Sequence, residues 1–214
     1  MADAERPSRL VLVAGTGTGV GKTWVGAALL HELRARGLTV AVRKPVQSAD
    51  PDDGLPDAVT LAAASGEDSD EVCQPSRSFE VPMTPFMAAD NLGRPLESVD
   101  ELVAGLRWPA AVDVGLVESV GGVRSPITED GADTVSIQTL LRPDLTVVVA
   151  DAGLGTLNLV RLSTAVLAAE LVVILNRFDP ADELHRRNLA WLEGHLALPV
   201  VTTISALADL AALG

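Results

Sequence analysis

Residues 10–23, LVLVAGTGTGVGKT, limit what this chain can fold into more than any other part of it. An apolar run breaks into a glycine-rich turn ending in Gly-Lys-Thr, and a stretch of helical composition follows at once. That order of strand, loop and helix makes a phosphate cradle. Glycines let the backbone curl with its N–H groups inward, and the helix presents its positive end. Lys22 then reaches the β- and γ-phosphates, and the Thr23 hydroxyl ligates Mg²⁺. The loop Gly15-Thr16-Gly17-Thr18-Gly19-Val20-Gly21 is one residue longer than the common spacing, because Thr16 stands where the usual glycine would and Gly15 lies one step earlier.

Cation usage singles out a second residue. Of 16 Lys plus Arg, only Lys22 and Lys44 are lysines, so the chain uses Arg wherever a general surface cation would serve. A compact ammonium suits a place among phosphate oxygens, whereas guanidinium imposes a planar fork. Lys44 is therefore a second active-site candidate.

Composition narrows the class. A chain of 214 residues with 48% apolar content has room for one α/β domain with a large core, with residues 1–8 as a flexible terminus. Aromatics make up 3%, so stacking platforms for single-stranded nucleic acid are scarce, and the formal net charge of −13 opposes binding to polyanions; no nucleic-acid partner is expected. Cys73 is the single cysteine, and no stretch resembles a signal peptide or a membrane span; a cytoplasmic protein is expected, with no membrane partner.

Along the chain, residues 23–36 read as a helix and 38–43 as a strand, which sets Lys44 and Ser48 beside the cradle at the C-terminal sheet edge. Asp50, Asp52 and Asp53 read as a solvated loop. Asp57 opens a helix, where capping is the default role and facing a metal the alternative. Residues 67–74 read as an acidic loop and 79–85, rich in proline, as a rigid turn. A strand at 112–117 delivers Glu118, a carboxylate placed to complete a Mg²⁺ shell, and Gly121-Gly122 permits close backbone approach. A helix at 134–141, a buried strand at 145–150 and a helix from Gly153 to about Glu170 follow. The start of that last helix offers free N–H groups to a carboxylate or phosphate. A strand at 171–175 ends in Asn176-Arg177. A helix at 181–196, a strand at 199–202 and a terminal helix close the chain. Strands alternating with helices predict a doubly wound, mainly parallel sheet flanked by helices, of phosphate-loop NTPase type.

GTGTGVGKT, then KPVQS, VE-x-x-GG, LGTLN and NR, spread over nearly the whole chain, resemble the dethiobiotin synthetase family. The family's enzymes are homodimers with the active site at the interface. They use ATP, Mg²⁺, CO₂ or bicarbonate, and 7,8-diaminononanoate. The resemblance implies that Lys22 and the loop amides hold the triphosphate, with Thr23, Asp57 and Glu118 on Mg²⁺. It implies Lys44, Thr18 and Ser48 around the carbamate, with Lys44, Lys22 and Thr18 catalytic. Gly155, Thr156 and Asn158 would receive the substrate carboxylate across the interface, with Gly122 also facing substrate. Asn176 would read the adenine, with Arg177, Gly121, Ser205, Ala206 and Leu207 on the nucleotide. Ser119-Val120 replaces the family's Gly-Ala, adding two side chains expected to narrow the pocket. An amidoligase of the same superfamily with another substrate, or a non-catalytic nucleotide-binding regulator, stays open at this point.

Overall fold

The computed structural model describes residues 6–50, 52, 54–168 and 170–212; Asp53 and the first five residues of the expected flexible terminus lie outside them. In chain order the elements are β1 (Arg9–Gly15), α1 (Lys22–Ala35), β2 (Val40–Arg43), β3 (Gln47–Ser48), α2 (Asp57–Ser65) and α3 (Ser69–Val72). A 3₁₀ turn (Pro75–Arg77) precedes β4 (Ser78–Phe79), α4 (Pro85–Asn91), α5 (Val99–Ala104), β5 (Val114–Glu118) and α6 (Thr134–Leu141). The chain ends with β6 (Leu145–Asp151), α7 (Thr156–Thr164), β7 (Leu171–Asn176), α8 (Glu183–His195), β8 (Val200–Val201) and α9 (Ile204–Ala212).

Six strands form one sheet in the order β2-β5-β1-β6-β7-β8, with every pairing parallel. The central strands are apolar almost without interruption because helices cover both faces. Val11 and Val13 of β1 pack into the cluster under α1, α2 and α9, while Leu10 and Leu12 face the cluster under α4, α5 and α6. A third cluster lies beneath α7 and α8. On α1 the buried Val25, Leu29 and Leu33 recur at helical spacing and form its sheet-facing stripe. Among the described residues no helix is long and apolar enough to cross a membrane.

Several boundaries differ from the sequence expectation for identifiable reasons. The acidic loop at 67–74 contains α3, whose first turn is capped by the Asp68 carboxylate accepting from Asp70 N. The helix expected to reach Glu170 stops at Thr164, where the Thr164 hydroxyl donates to the Val160 carbonyl. Gln138 then clamps Ala168 through both its backbone groups. The short strands β3 and β4 form a separate parallel pair, held by the Gln47 amide donating to Ser78 Oγ. At the sheet edge, Glu67 accepts from Val42 N at 2.8 Å and pairs with the buried Arg43 at 2.6 Å, so a side chain covers an edge donor that would otherwise invite another strand.

Pro7 is buried, and Ser8 N donates to Val112 O at 2.9 Å, which fixes the start of β1 beside β5. Gly115 of β5 makes room for this contact: a Cβ there would lie 2.4 Å from Pro7 Cγ and 2.9 Å from the Trp108 ring. Gly115→Ala should therefore destabilise the fold by about 1–3 kcal/mol through overpacking. Urea denaturation measures this directly; an unchanged midpoint would show that Pro7 does not pack there in solution.

Candidate active site

The loop between β1 and α1 is shaped by its glycines. Gly19 and Gly21 take φ of 76° and 93°, and a Cβ on Gly21 would sit 2.1 Å from Asn176 Nδ2. A Cβ on Gly15 would press at 2.9 Å on the Lys22 stem, so that stem lies directly over Gly15. Lys22 is buried and its Nζ donates to Gly17 O at 3.1 Å. No side chain caps α1 and its first turn carries no acid, which leaves the helix N–H groups for an anion. Burial first and the neighbouring Lys44 second push the Lys22 ammonium down from 10.5 to about 8, against the opposing pull of Glu118 and Asp57.

Strand register gathers the charged groups. Val13 pairs with Glu118 and Arg43 with Val117, so the ends of β1, β5 and β2 deliver the loop, Glu118 and Lys44 to one edge. Lys44 Nζ lies 2.5 Å from Glu118 Oε1 and 2.8 Å from Asp57 Oδ2. Thr23 Oγ1 is 2.7 Å from Asp57 Oδ1 and 3.0 Å from Glu118 Oε1. Burial acts to discharge Lys44, but Glu118 and Asp57 outweigh it and hold its pKa above the usual lysine value. For Asp57, burial acts upward, and Lys44 followed by Thr23 and Lys22 outweighs it, so its pKa is lowered.

The expectation that Asp57 caps its helix is overturned. Pro56 is the N-cap and makes no side-chain bond; the Ala58 N–H is met instead by Gln47 Oε1 at 3.0 Å. That contact spares the Asp57 carboxylate for Thr23 and Lys44. Three hard oxygen donors, from Thr23, Asp57 and Glu118, thus converge, and Glu118 Oε2 is buried without a hydrogen-bond partner. This set fits a Mg²⁺ ion that takes its remaining ligands from phosphate and water. Among the described residues no cluster of three or more His, Cys, Asp or Glu offers a metal site of another kind.

A cleft of about 510 Å³ opens over this cluster, and Thr18, Lys22, Lys44, Ser48, Asp57 and Gly121 all line it. Its far wall was not apparent from the sequence: Met83 and Thr84 on one side, Ser125 and Pro126 on the other. The proline-rich turn reaches the cleft because the Ser48 hydroxyl donates to Met83 O at 2.6 Å and the Thr84 hydroxyl to Pro126 O at 2.6 Å. Gly122 packs against the cradle, with Gly17 Cα 3.3 Å from the position of its missing Cβ, and Val123 N donates to Gly15 O. Of the two side chains expected to narrow the pocket, Val120 lines the cleft while Ser119 is buried outside its lining.

A second cleft, also about 510 Å³, meets the first at Gly21. Asn176, Arg177, Phe178, Thr202, Thr203 and Trp24 wall it. Ser205, Ala206 and Leu207, which the resemblance puts on the nucleotide, follow Ile204 in the first turn of α9; Leu207 is fully buried in the core and the Ser205 hydroxyl accepts from Arg36. Asn176 Nδ2 donates to Val20 O, and Arg177 donates to both Asp151 and Gly19 O, so the pair also fastens the back of the loop. Gly155, Thr156 and Asn158 form the start of α7 and line neither cleft of their own chain.

Sheet order, cradle and carboxylate pair together define a phosphate-loop nucleotide-binding protein. A family model described as an AAA domain matches residues 9–213. An ATP-dependent dethiobiotin synthetase from Xanthomonas oryzae pv. oryzae is 37% identical over 201 residues, covering 87% of this chain and 86% of the relative. One from Haloferax mediterranei is 36% identical over 197 residues, covering 89% and 81%. The chain belongs to the dethiobiotin synthetase family. The signal recognition particle receptor FtsY from Elizabethkingia anophelis shares the fold alone, at 15% identity with a TM-score of 0.54, covering 96% of this chain and 65% of that one.

The lowered Lys22 pKa gives a signed prediction. Phosphate oxygens favour the charged ammonium, so above about pH 8 nucleotide binding must draw a proton from solution. Calorimetric titration at about pH 8.5 in buffers of different ionisation enthalpy should reveal proton uptake that vanishes near pH 6.5. Lys22→Met should abolish it. Uptake that is zero at both pH values would mean the ammonium is already fully charged in the free protein.

Proposed function

We propose that this chain is an ATP- and Mg²⁺-dependent ligase that closes 7,8-diaminononanoate with CO₂ into the cyclic urea dethiobiotin. The observation that carries the reading is the convergence of the chain's two lysines with Thr23 and Asp57 on one cleft, with the buried Glu118 bonded to Lys44 and Thr23 behind it, in a member of this family. A neutral amine of the substrate adds to CO₂ to give a carbamate. The carbamate oxygen attacks the γ-phosphorus and ADP departs. The second amine then attacks the carbamoyl carbon, and phosphate leaves as the ring closes.

No protein nucleophile is needed for these steps, so the residues act by position and charge. Lys22 and the loop N–H groups bind the β- and γ-phosphates; Mg²⁺, when bound through Thr23, Asp57 and Glu118, neutralises charge on the transferring phosphoryl group. Lys44 stabilises the carbamate against the γ-phosphate from the opposite side, and Thr18 and Ser48 orient it.

The resemblance gives the substrate carboxylate a further site, at the start of α7, which lines neither cleft of its own chain. The start of α7 is free to serve a partner protomer, and Leu154, Leu159 and Leu162 around it are exposed, Leu154 by 92%. This supports a homodimer in which Gly155, Thr156 and Asn158 complete the site of the other subunit.

Incubating the full chain with ATP, Mg²⁺, bicarbonate and the diamine should yield the cyclic urea by mass spectrometry, with phosphate release that depends on the diamine. Phosphate release without urea and without diamine dependence would overturn the reading. Lys44→Arg should lose turnover by about 100-fold or more while nucleotide affinity stays within about threefold, because a planar fork cannot take the place of the compact ammonium between two carboxylates and the carbamate. Equal loss of affinity and turnover would reassign Lys44 to nucleotide binding alone.

A further inference from the structure

The second cleft contains a residue with no part yet in the chemistry. Trp24 directly follows Thr23 in the first turn of α1 and is 60% exposed. Isolated surface hydrophobes are ordinary, so exposure by itself decides nothing. Position does: the indole lines a cleft of about 510 Å³ that begins at Gly21, where the phosphate cradle ends. A triphosphate in the cradle would extend its ribose and base toward this cleft.

The other walls are less able to receive the face of a base. Phe178 is half-buried, packs into the cluster under α8 and meets the His185 ring at 6.0 Å. Asn176 is buried with its amide on Val20 O, and the Arg177 guanidinium is engaged by Asp151 and Gly19 O. The indole is the one large flat surface in the cleft open to solvent among the described residues.

We propose that Trp24 is the specificity-determining residue for the nucleotide base, acting as a stacking platform that selects purine over pyrimidine nucleoside triphosphates. Stacking scales with overlapping ring area, so a bicyclic base gains more on an indole than a monocyclic one. Base preference thus comes from the face of the base, in addition to whatever Asn176 reads on its edge. The inference rests on the nucleotide half of the proposed function and adds the selecting residue.

The test uses the full chain with Mg²⁺ and no diamine, titrated with ATP, GTP, CTP and UTP. Purine nucleotides should quench indole emission, and this quench should be lost in Trp24→Phe, which keeps most of the purine affinity. Trp24→Ala should weaken ATP and GTP by about tenfold and CTP and UTP by less than about threefold, collapsing the preference. Circular dichroism of both variants checks that they fold. A Trp24→Ala protein with an unchanged purine-to-pyrimidine ratio, or ATP binding with unaltered emission, would overturn the proposal. Because the diamine is absent, either result leaves ring closure standing, whereas a missing urea alongside an intact purine preference sinks the ring-closure reading alone.

Discussion

The structure at the sheet edge is organised around a buried ammonium. Lys44 is 1% exposed and Glu118 is 0% exposed, and an isolated charge so placed would discharge instead of enduring desolvation. Two carboxylates keep Lys44 protonated, and removing Lys44 would leave the fully buried Glu118 without its cation, a change that costs about 3–5 kcal/mol in comparable pairs. Two carboxylates against one ammonium leave negative charge in excess. Lys22 answers it from across the cleft, which is why Glu118 and Asp57 pull its pKa upward even as burial and Lys44 pull it down. The cluster is balanced only as a set, and its two ammonium groups hold their partners without the fixed planar geometry that a guanidinium would impose.

That set was partly legible in the sequence. A parallel sheet brings the C-terminal ends of its strands to one edge, so a lysine after β2, a carboxylate ending β5 and a glycine-rich loop after β1 had to meet. Asp57 was the harder residue. At a helix start an aspartate caps by default, and what frees it here is Gln47, a residue eleven positions before Ala58, whose amide oxygen takes the Ala58 N–H. Such a substitution of one capping group for another is invisible to local pattern. The same limit hid the far wall of the cleft, since Met83 and Thr84 arrive there through hydroxyl-to-carbonyl bonds with Ser48 and Pro126 that no spacing announces.

Ser119-Val120 illustrates the opposite error, in which a sequence difference carries less weight in three dimensions than in one. Successive residues leaving a strand point to opposite sides. One of the pair therefore turns away from the cleft: Ser119 is 1% exposed and its hydroxyl has no hydrogen-bond partner, while Val120 alone adds bulk to the lining. The added steric demand on a substrate is that of one branched side chain against the wall formed by the Met83 turn.

Asn176 and Arg177 do more than border the second cleft. The peptide unit is planar and trans, so a carbonyl and the following N–H point in opposite directions. Arg177 ties back the Gly19 carbonyl and Asn176 the Val20 carbonyl, at 2.9 Å each. The N–H groups of Val20 and Gly21 are thereby turned away from β7, toward the space that phosphate oxygens would fill. Arg177 holds this arrangement from a left-handed backbone, φ 57°, with Asp151 bracing its guanidinium at 2.8 Å. Strain of this kind, about 1–3 kcal/mol, persists only where surrounding contacts over-determine it. Here those contacts aim two donors before any ligand arrives. The cradle's geometry is thus set from the neighbouring strand as much as from its own glycines, and donors fixed in advance spend no binding energy on reorganisation when they meet an anion.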